Sequence, residues 1–136
     1  MSIRILLADD HTIVLQGLSR CLQEQEGLEI TGQARDGLMV VELARELRPD
    51  IVIMDVSMPG LTGIEATQQI HEENPDVKVI GLSMHAARRY VREMHKVGAC
   101  GYLLKDCEFD ELIGAIRTVA DGGTYFATDF RDAVIC

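Results

Sequence analysis

The chain has 136 residues, 47% of them hydrophobic and 26% charged, with a net charge of −9. That length suits one domain with one hydrophobic core, and the balance is that of a folded chain rather than a disordered one. The acidic excess argues against this segment gripping nucleic acid or an anionic membrane itself, since both want a basic patch. No apolar run approaches the roughly 20 residues needed to span a bilayer, and Met1-Ser2-Ile3-Arg4 leads into a short apolar run rather than a signal peptide. Cys21, Cys100, Cys107 and Cys136 show no CxxC spacing and no paired histidines. The first three read as reduced packing or surface thiols, and the chain reads as cytoplasmic.

Short apolar runs alternate with helical periodicity five times along the chain. Ile3 to Ala8 is apolar apart from Arg4, the mark of a strand buried on both faces. Val14, Leu15, Leu18 and Leu22 then recur at helical spacing until Gly27. Leu28 to Ala34 reads as a second strand and Asp36-Gly37 as a turn. A second helix carries Val40, Leu43, Ala44 and Leu47 and ends before Pro49. Ile51 to Met54 is a third strand, followed by the loop Ser57-Met58-Pro59-Gly60. The third helix has the weakest stripe, Ile64, Thr67 and Ile70. Val77 to Leu82 is strand four. Ala87, Tyr90, Val91, Met94 and Val97 mark helix four, closed by Gly98, and Cys100 to Leu104 is strand five. Phe109, Leu112, Ile113, Ile116 and Ala120 line helix five, ended by Gly122-Gly123. Such alternation predicts βαβ units, a parallel sheet and a three-layer α/β domain over residues 1–123. Residues 124–136 are less periodic and read as the start of a linker to a further domain.

In an open parallel sheet, ligands bind beyond the carboxyl ends of the strands. Asp9 and Asp10 follow the first strand, Asp55 the third, Ser83 the fourth and Lys105 the fifth. Three carboxylates brought together repel one another unless a cation compensates. Carboxylate and carbonyl oxygens suit a hard cation, and Mg²⁺ is the usual one where phosphate also binds. Lys105 suits a phosphoryl oxygen as a point charge, and Ser83 offers it a donor. Asp55 has the place of a nucleophile whose product is an acyl phosphate. Each residue alone has an ordinary explanation: Asp9-Asp10 could cap the first helix, and Lys105 could be a solvated surface residue. Random placement would rarely set all five at strand ends.

Two enzyme readings share this architecture. A nucleotide-binding enzyme would want a glycine-rich loop after the first strand, where this chain has Ala8-Asp9-Asp10-His11. Haloacid-dehalogenase-like phosphatases carry a second, acid-base Asp two residues after the nucleophile, where this chain has Ser57. A third reading is a module that never becomes phosphorylated; such modules usually lose an acidic residue or the lysine, and this chain keeps them.

Leu7-Ala8-Asp9-Asp10-His11, Ile53-Met54-Asp55-Val56-Ser57-Met58-Pro59-Gly60, Leu82-Ser83 and Gly101-Tyr102-Leu103-Leu104-Lys105 together resemble the response-regulator receiver domain over about residues 3–122. The resemblance implies a flavodoxin-like (βα)5 fold with strand order 2-1-3-4-5. It implies that Asp55 is the phosphoacceptor and that Asp9, Asp10 and Asp55 hold Mg²⁺ with the backbone carbonyl of Ser57. It further implies that Ser83 is the switch hydroxyl, Tyr102 the switch aromatic and Lys105 the phosphate-contacting lysine. Leu82-Ser83-Met84-His85, Gly98-Ala99-Cys100-Gly101-Tyr102-Leu103-Leu104-Lys105-Asp106 and Gly122-Gly123-Thr124-Tyr125 look more narrowly like the NarL/FixJ type. That type implies a sensor histidine kinase as phosphodonor and DNA binding only through a helix-turn-helix domain absent from this chain. Asp106 departs from the pattern, since many receivers have Pro after the lysine. Arg88, Arg92 and Lys96 form a basic stripe on helix four, read either as a solvated face or as a contact for an effector or a second protomer.

Overall fold

The computed structural model describes residues 2–56, 58, 60–84 and 88–126. Five βα units follow in order: β1 (Ile3–Ala8), α1 (Thr12–Gln23), β2 (Leu28–Ala34), α2 (Gly37–Leu47), β3 (Ile51–Asp55), α3 (Gly63–Glu73), β4 (Lys78–Ser83), α4 (Arg88–Lys96), β5 (Gly101–Leu104) and α5 (Phe109–Ala120). The strands are parallel in the order 2-1-3-4-5 that the family resemblance implied. A sixth strand, β6 (Tyr125–Phe126), extends the sheet beyond β5. It comes from the stretch read as linker and sets Tyr125 beside Gly101 and Phe126 beside Tyr102.

The alternation of side chains along a strand divides the apolar residues between two layers. Ile5, Leu7, Ile51, Ile53, Ile80, Leu82 and Leu103 face one way and pack with Leu15 and Leu22 of α1 and Leu112, Ala115, Ile116 and Val119 of α5. Leu6, Ala8, Val52, Met54, Val79 and Tyr102 face the other way, against Val40, Val41 and Ala44 of α2, Ala66 and Ile70 of α3, and Val91 and Met94 of α4. Strands covered on both faces must be apolar at nearly every position, as β1 and β3 are. The weak stripe of α3 has a local explanation. Thr67 is fully buried, and its hydroxyl donates to the Gly63 carbonyl at 2.7 Å, so it packs as an apolar residue would.

The stripe expected from Ala87 to Val97 resolves into a helix over Arg88–Lys96, with Ala87 outside the described residues. Met54, Met58 and Met94 are buried, whereas Met84 is exposed. Cys21 is an exposed free thiol, and Cys100 and Cys107 are half-buried free thiols. Burial, with the charges of Glu111 and Asp106 nearby, pushes the Cys107 thiol up and disfavours its thiolate. No helix among the described residues is long and apolar enough to cross a membrane.

Candidate functional site

The carboxyl ends of β1, β3, β4 and β5 meet at one edge of the sheet, and local contacts fix each functional side chain there. Asp9 is buried. It does not act as the N-cap of α1, a place held by His11 without a side-chain cap. Instead, Asp9 Oδ1 accepts the backbone N–H of His11 at 2.8 Å, and the His11 ring Nδ1 lies 2.9 Å from the same oxygen. Asp10 sits at the rim, its Oδ1 3.2 Å from His11 Nδ1.

Asp55 ends β3 and is 1% exposed. The turn beyond it is held against α3. The Gly63 N–H donates to the Val56 carbonyl at 3.1 Å, and a Cβ on Gly63 would lie 2.2 Å from the Asp55 carbonyl oxygen. Only glycine allows that approach. Thr62 then starts α3 with a capping box to Glu65, which anchors the far side of the loop.

Lys105 completes the arrangement. Its backbone N–H donates to the Ser83 carbonyl at 2.8 Å, aligning the ends of β4 and β5. Its Nζ lies 2.7 Å from Asp9 Oδ2 and 3.3 Å from Asp55 Oδ2. One ammonium thus bridges two buried carboxylates. Burial alone would push Asp9 up. The hydrogen bonds from Lys105 and from the backbone and ring of His11 outweigh it, so the carboxyl is held below its usual range. Burial would likewise push Lys105 down, but the hydrogen bond to Asp9 and the charges of Asp55 and Asp9 hold it above its usual value.

The sign for stability follows from the depressed Asp9. Its contribution is complete above the titration of an ordinary aspartate and is lost as pH falls through the lower folded value. The metal-free protein is therefore expected to lose melting temperature on acidification below about pH 4. Asp9→Asn should flatten that part of the profile, and thermal melts across the acid range check it.

Asp9, Asp10, His11 and Asp55 can each offer a ligand atom, all within 4.8 Å of one another. Carboxylate oxygens this close, with an ammonium as their present counter-charge, fit a small hard dication such as Mg²⁺. Ser57, whose carbonyl the resemblance assigned to the same ion, lies outside the described residues, as does His85. Ser83 and Tyr102 are both fully buried and are hydrogen-bonded to each other. Burial, partly offset by that bond, pushes the Tyr102 hydroxyl up. The structure thus brings together Asp9, Asp10, Asp55 and Lys105, and separately Ser83 with Tyr102. Among the described residues the peptide bonds are trans, including the one between Lys105 and Asp106.

Sequence reasoning missed two contributors. His11 was visible only as part of a motif, and its contacts with both acidic residues come from the turn between β1 and α1. Gly63 was visible as a glycine after a loop, but the close approach it permits depends on the position of α3.

The chain is thus a parallel α/β domain that gathers an acidic pocket and a lysine at the carboxyl edge of its sheet. The profile of the response regulator receiver domain matches residues 5–117, and the chain belongs to that family. It is 42% identical over 133 residues to the transcriptional regulatory protein MctR of Rhizobium johnstonii, covering 98% of this chain and 62% of that one. It is 42% identical over 123 residues to the transcriptional regulatory protein DegU of Brevibacillus brevis, covering 90% of this chain and 52% of that one. The structure of a LuxR-family two-component response regulator from Aurantimonas sp. SI85-9A1 superposes with a TM-score of 0.92 at 32% identity, covering 98% of this chain and 96% of that one. The NarL/FixJ type read from the motifs agrees with these relatives. The chain spans between about half and less than two thirds of the length of the curated relatives.

Proposed function

We propose that this receiver accepts a phosphoryl group on Asp55 from the phosphohistidine of a sensor histidine kinase, in the cytoplasm. In this reading Asp9, Asp10, Asp55 and the Ser57 carbonyl hold Mg²⁺. Lys105 neutralises the transferred group, and Ser83 and Tyr102 carry the change to the α4–β5 face. The receiver, read from the sequence over residues 1–123, takes in β6 as well, and the rest of the stretch to residue 136 begins a linker to a DNA-binding domain that regulates transcription, with membrane contact playing no part. The observation that supports the reading best is the Lys105 ammonium set between Asp9 and Asp55, at 2.7 and 3.3 Å. A cation placed there can meet the oxygens of a phosphoryl group on Asp55, and in such transfers the protein mostly positions groups and neutralises charge. The protein would act on itself alone and not on outside substrates.

The burial of Tyr102 supports the switch reading. The resemblance made Tyr102 the switch aromatic, and in this structure its ring is buried and bonded to Ser83. A phosphoryl group that draws on Ser83 would bias an equilibrium in which this inward arrangement already exists. The face above it carries Arg88, Arg92 and Lys96, all exposed, which suits an acidic effector surface or a second copy of the chain.

The test is incubation with acetyl phosphate and Mg²⁺ followed by intact mass measurement. One added phosphoryl group, labile to base and prevented by chelating the metal, is the expected result. Equal uptake in excess chelator would remove the metal from the reading.

A further inference from the structure

We propose that Gly81, in the middle of β4, is the positioning residue that lets Tyr102 occupy its inward place, and so sets how readily the switch reaches that state. This rests on the switch reading above for its consequence, though not for its geometry.

Glycine inside a central strand is unfavourable, because it lacks a side chain to pack and costs more backbone entropy than other residues. Gly81 has Met54 of β3 and Tyr102 of β5 as its register partners and is itself buried. Its φ is not in the left-handed region and its pairing with both neighbouring strands runs without a register shift, so no turn or bulge explains it. The space around it does. A Cβ on residue 81 would lie 3.0 Å from Tyr102 Cδ2, 3.5 Å from Tyr102 Cε2 and 3.1 Å from Met94 Cε. The Met94 methyl ends a flexible chain and can move. The Tyr102 ring is planar and fully buried, and its hydroxyl is engaged with Ser83. A side chain at 81 therefore presses on the ring, which must give by a few tenths of an ångström while its hydroxyl is held, and this crowding is absent when the ring is outward.

The missing Cβ is thus a notch in the sheet surface beneath α4, shaped for the edge of the tyrosine ring. Filling it penalises only the arrangement in which the ring is inward. An equilibrium between inward and outward rings would move outward, while Asp55, Asp9 and Lys105, on neighbouring strand ends, keep their places.

The experiment is a double-mutant cycle on the metal-free chain, which needs no phosphorylation. Gly81→Ala is expected to lower the melting temperature in the wild-type background. In a Tyr102→Ala background the same change should cost nothing or stabilise, because alanine restricts the unfolded chain more than glycine. In a Met94→Ala background the cost should persist. NMR contacts between the Tyr102 ring and the Met94 methyl should be lost in Gly81→Ala. About tenfold more beryllofluoride with Mg²⁺ should be needed to restore them. Should Gly81→Ala fail to fold, folding of Gly81→Ala/Tyr102→Ala supports the proposal equally. An equal cost in all backgrounds, or ring contacts unchanged in Gly81→Ala, would overturn it. Phosphoryl uptake by wild type, measured separately by mass, tests the acceptor reading: its failure there would leave the cycle standing.

Discussion

With Asp55 replaced by Asn, phosphoryl uptake from acetyl phosphate is expected to fall at least about a hundredfold, the scale of losing a nucleophile. The carboxylate oxygen of Asp55 would form the new P–O bond as the bond from phosphorus to the leaving acetate oxygen breaks. An amide in its place offers no anionic oxygen. The substitution is nearly isosteric, and Lys105 retains its 2.7 Å contact with Asp9, so folding should survive. The control is sharp because Asp9 and Asp10 stand in the same pocket. If either could serve as acceptor, the adduct would persist in Asp55→Asn, and intact mass spectrometry would show it.

Lys105→Met is expected to separate two roles that the structure combines in one side chain. In the metal-free protein the ammonium compensates two buried carboxylates, and removing one partner of such a group typically costs about 3–5 kcal/mol. The melting temperature without metal should therefore drop clearly. Mg²⁺ supplies positive charge to the same carboxylates, so the rise in melting temperature on adding it should be larger than in wild type. Phosphoryl transfer should nevertheless slow by about tenfold or more, because no fixed cation remains for the transferred oxygens. Melts with and without Mg²⁺, paired with adduct formation rates, read both effects. A variant with unchanged stability and unchanged rate would show that the bridge has neither role.

The layered sheet was legible because strands buried on both faces are apolar at consecutive positions, and each is followed by a helical stripe. The division of Ile5 and Leu7 from Leu6 and Ala8 between two layers follows from the strand period alone. β6 was not legible, since two residues carry no periodicity and their pairing with Gly101 and Tyr102 depends on where α5 returns the chain. Much of the candidate site could be read because a strand in a parallel sheet announces its carboxyl end, and Asp9, Asp10, Asp55, Ser83 and Lys105 all fall there. What stayed hidden were the His11 contacts, which depend on the geometry of the turn after β1, and three relations between elements: the ammonium shared by Asp9 and Asp55, the approach of Gly63 to Asp55, and the Gly81 notch under Tyr102. Those three are contacts across the chain, and no local pattern encodes them.

The central claim, that Asp55 is the acceptor in a metal-assisted transfer, is tested most directly by marking the acceptor chemically. Borohydride reduces an acyl phosphate to an alcohol, so a phosphorylated aspartate becomes homoserine. After treatment with acetyl phosphate and Mg²⁺, reduction and digestion, tandem mass spectrometry should find homoserine at position 55, and none when the metal is chelated. Homoserine at position 9 or 10, or a phosphoryl adduct that leaves residue 55 unreduced, would contradict the account.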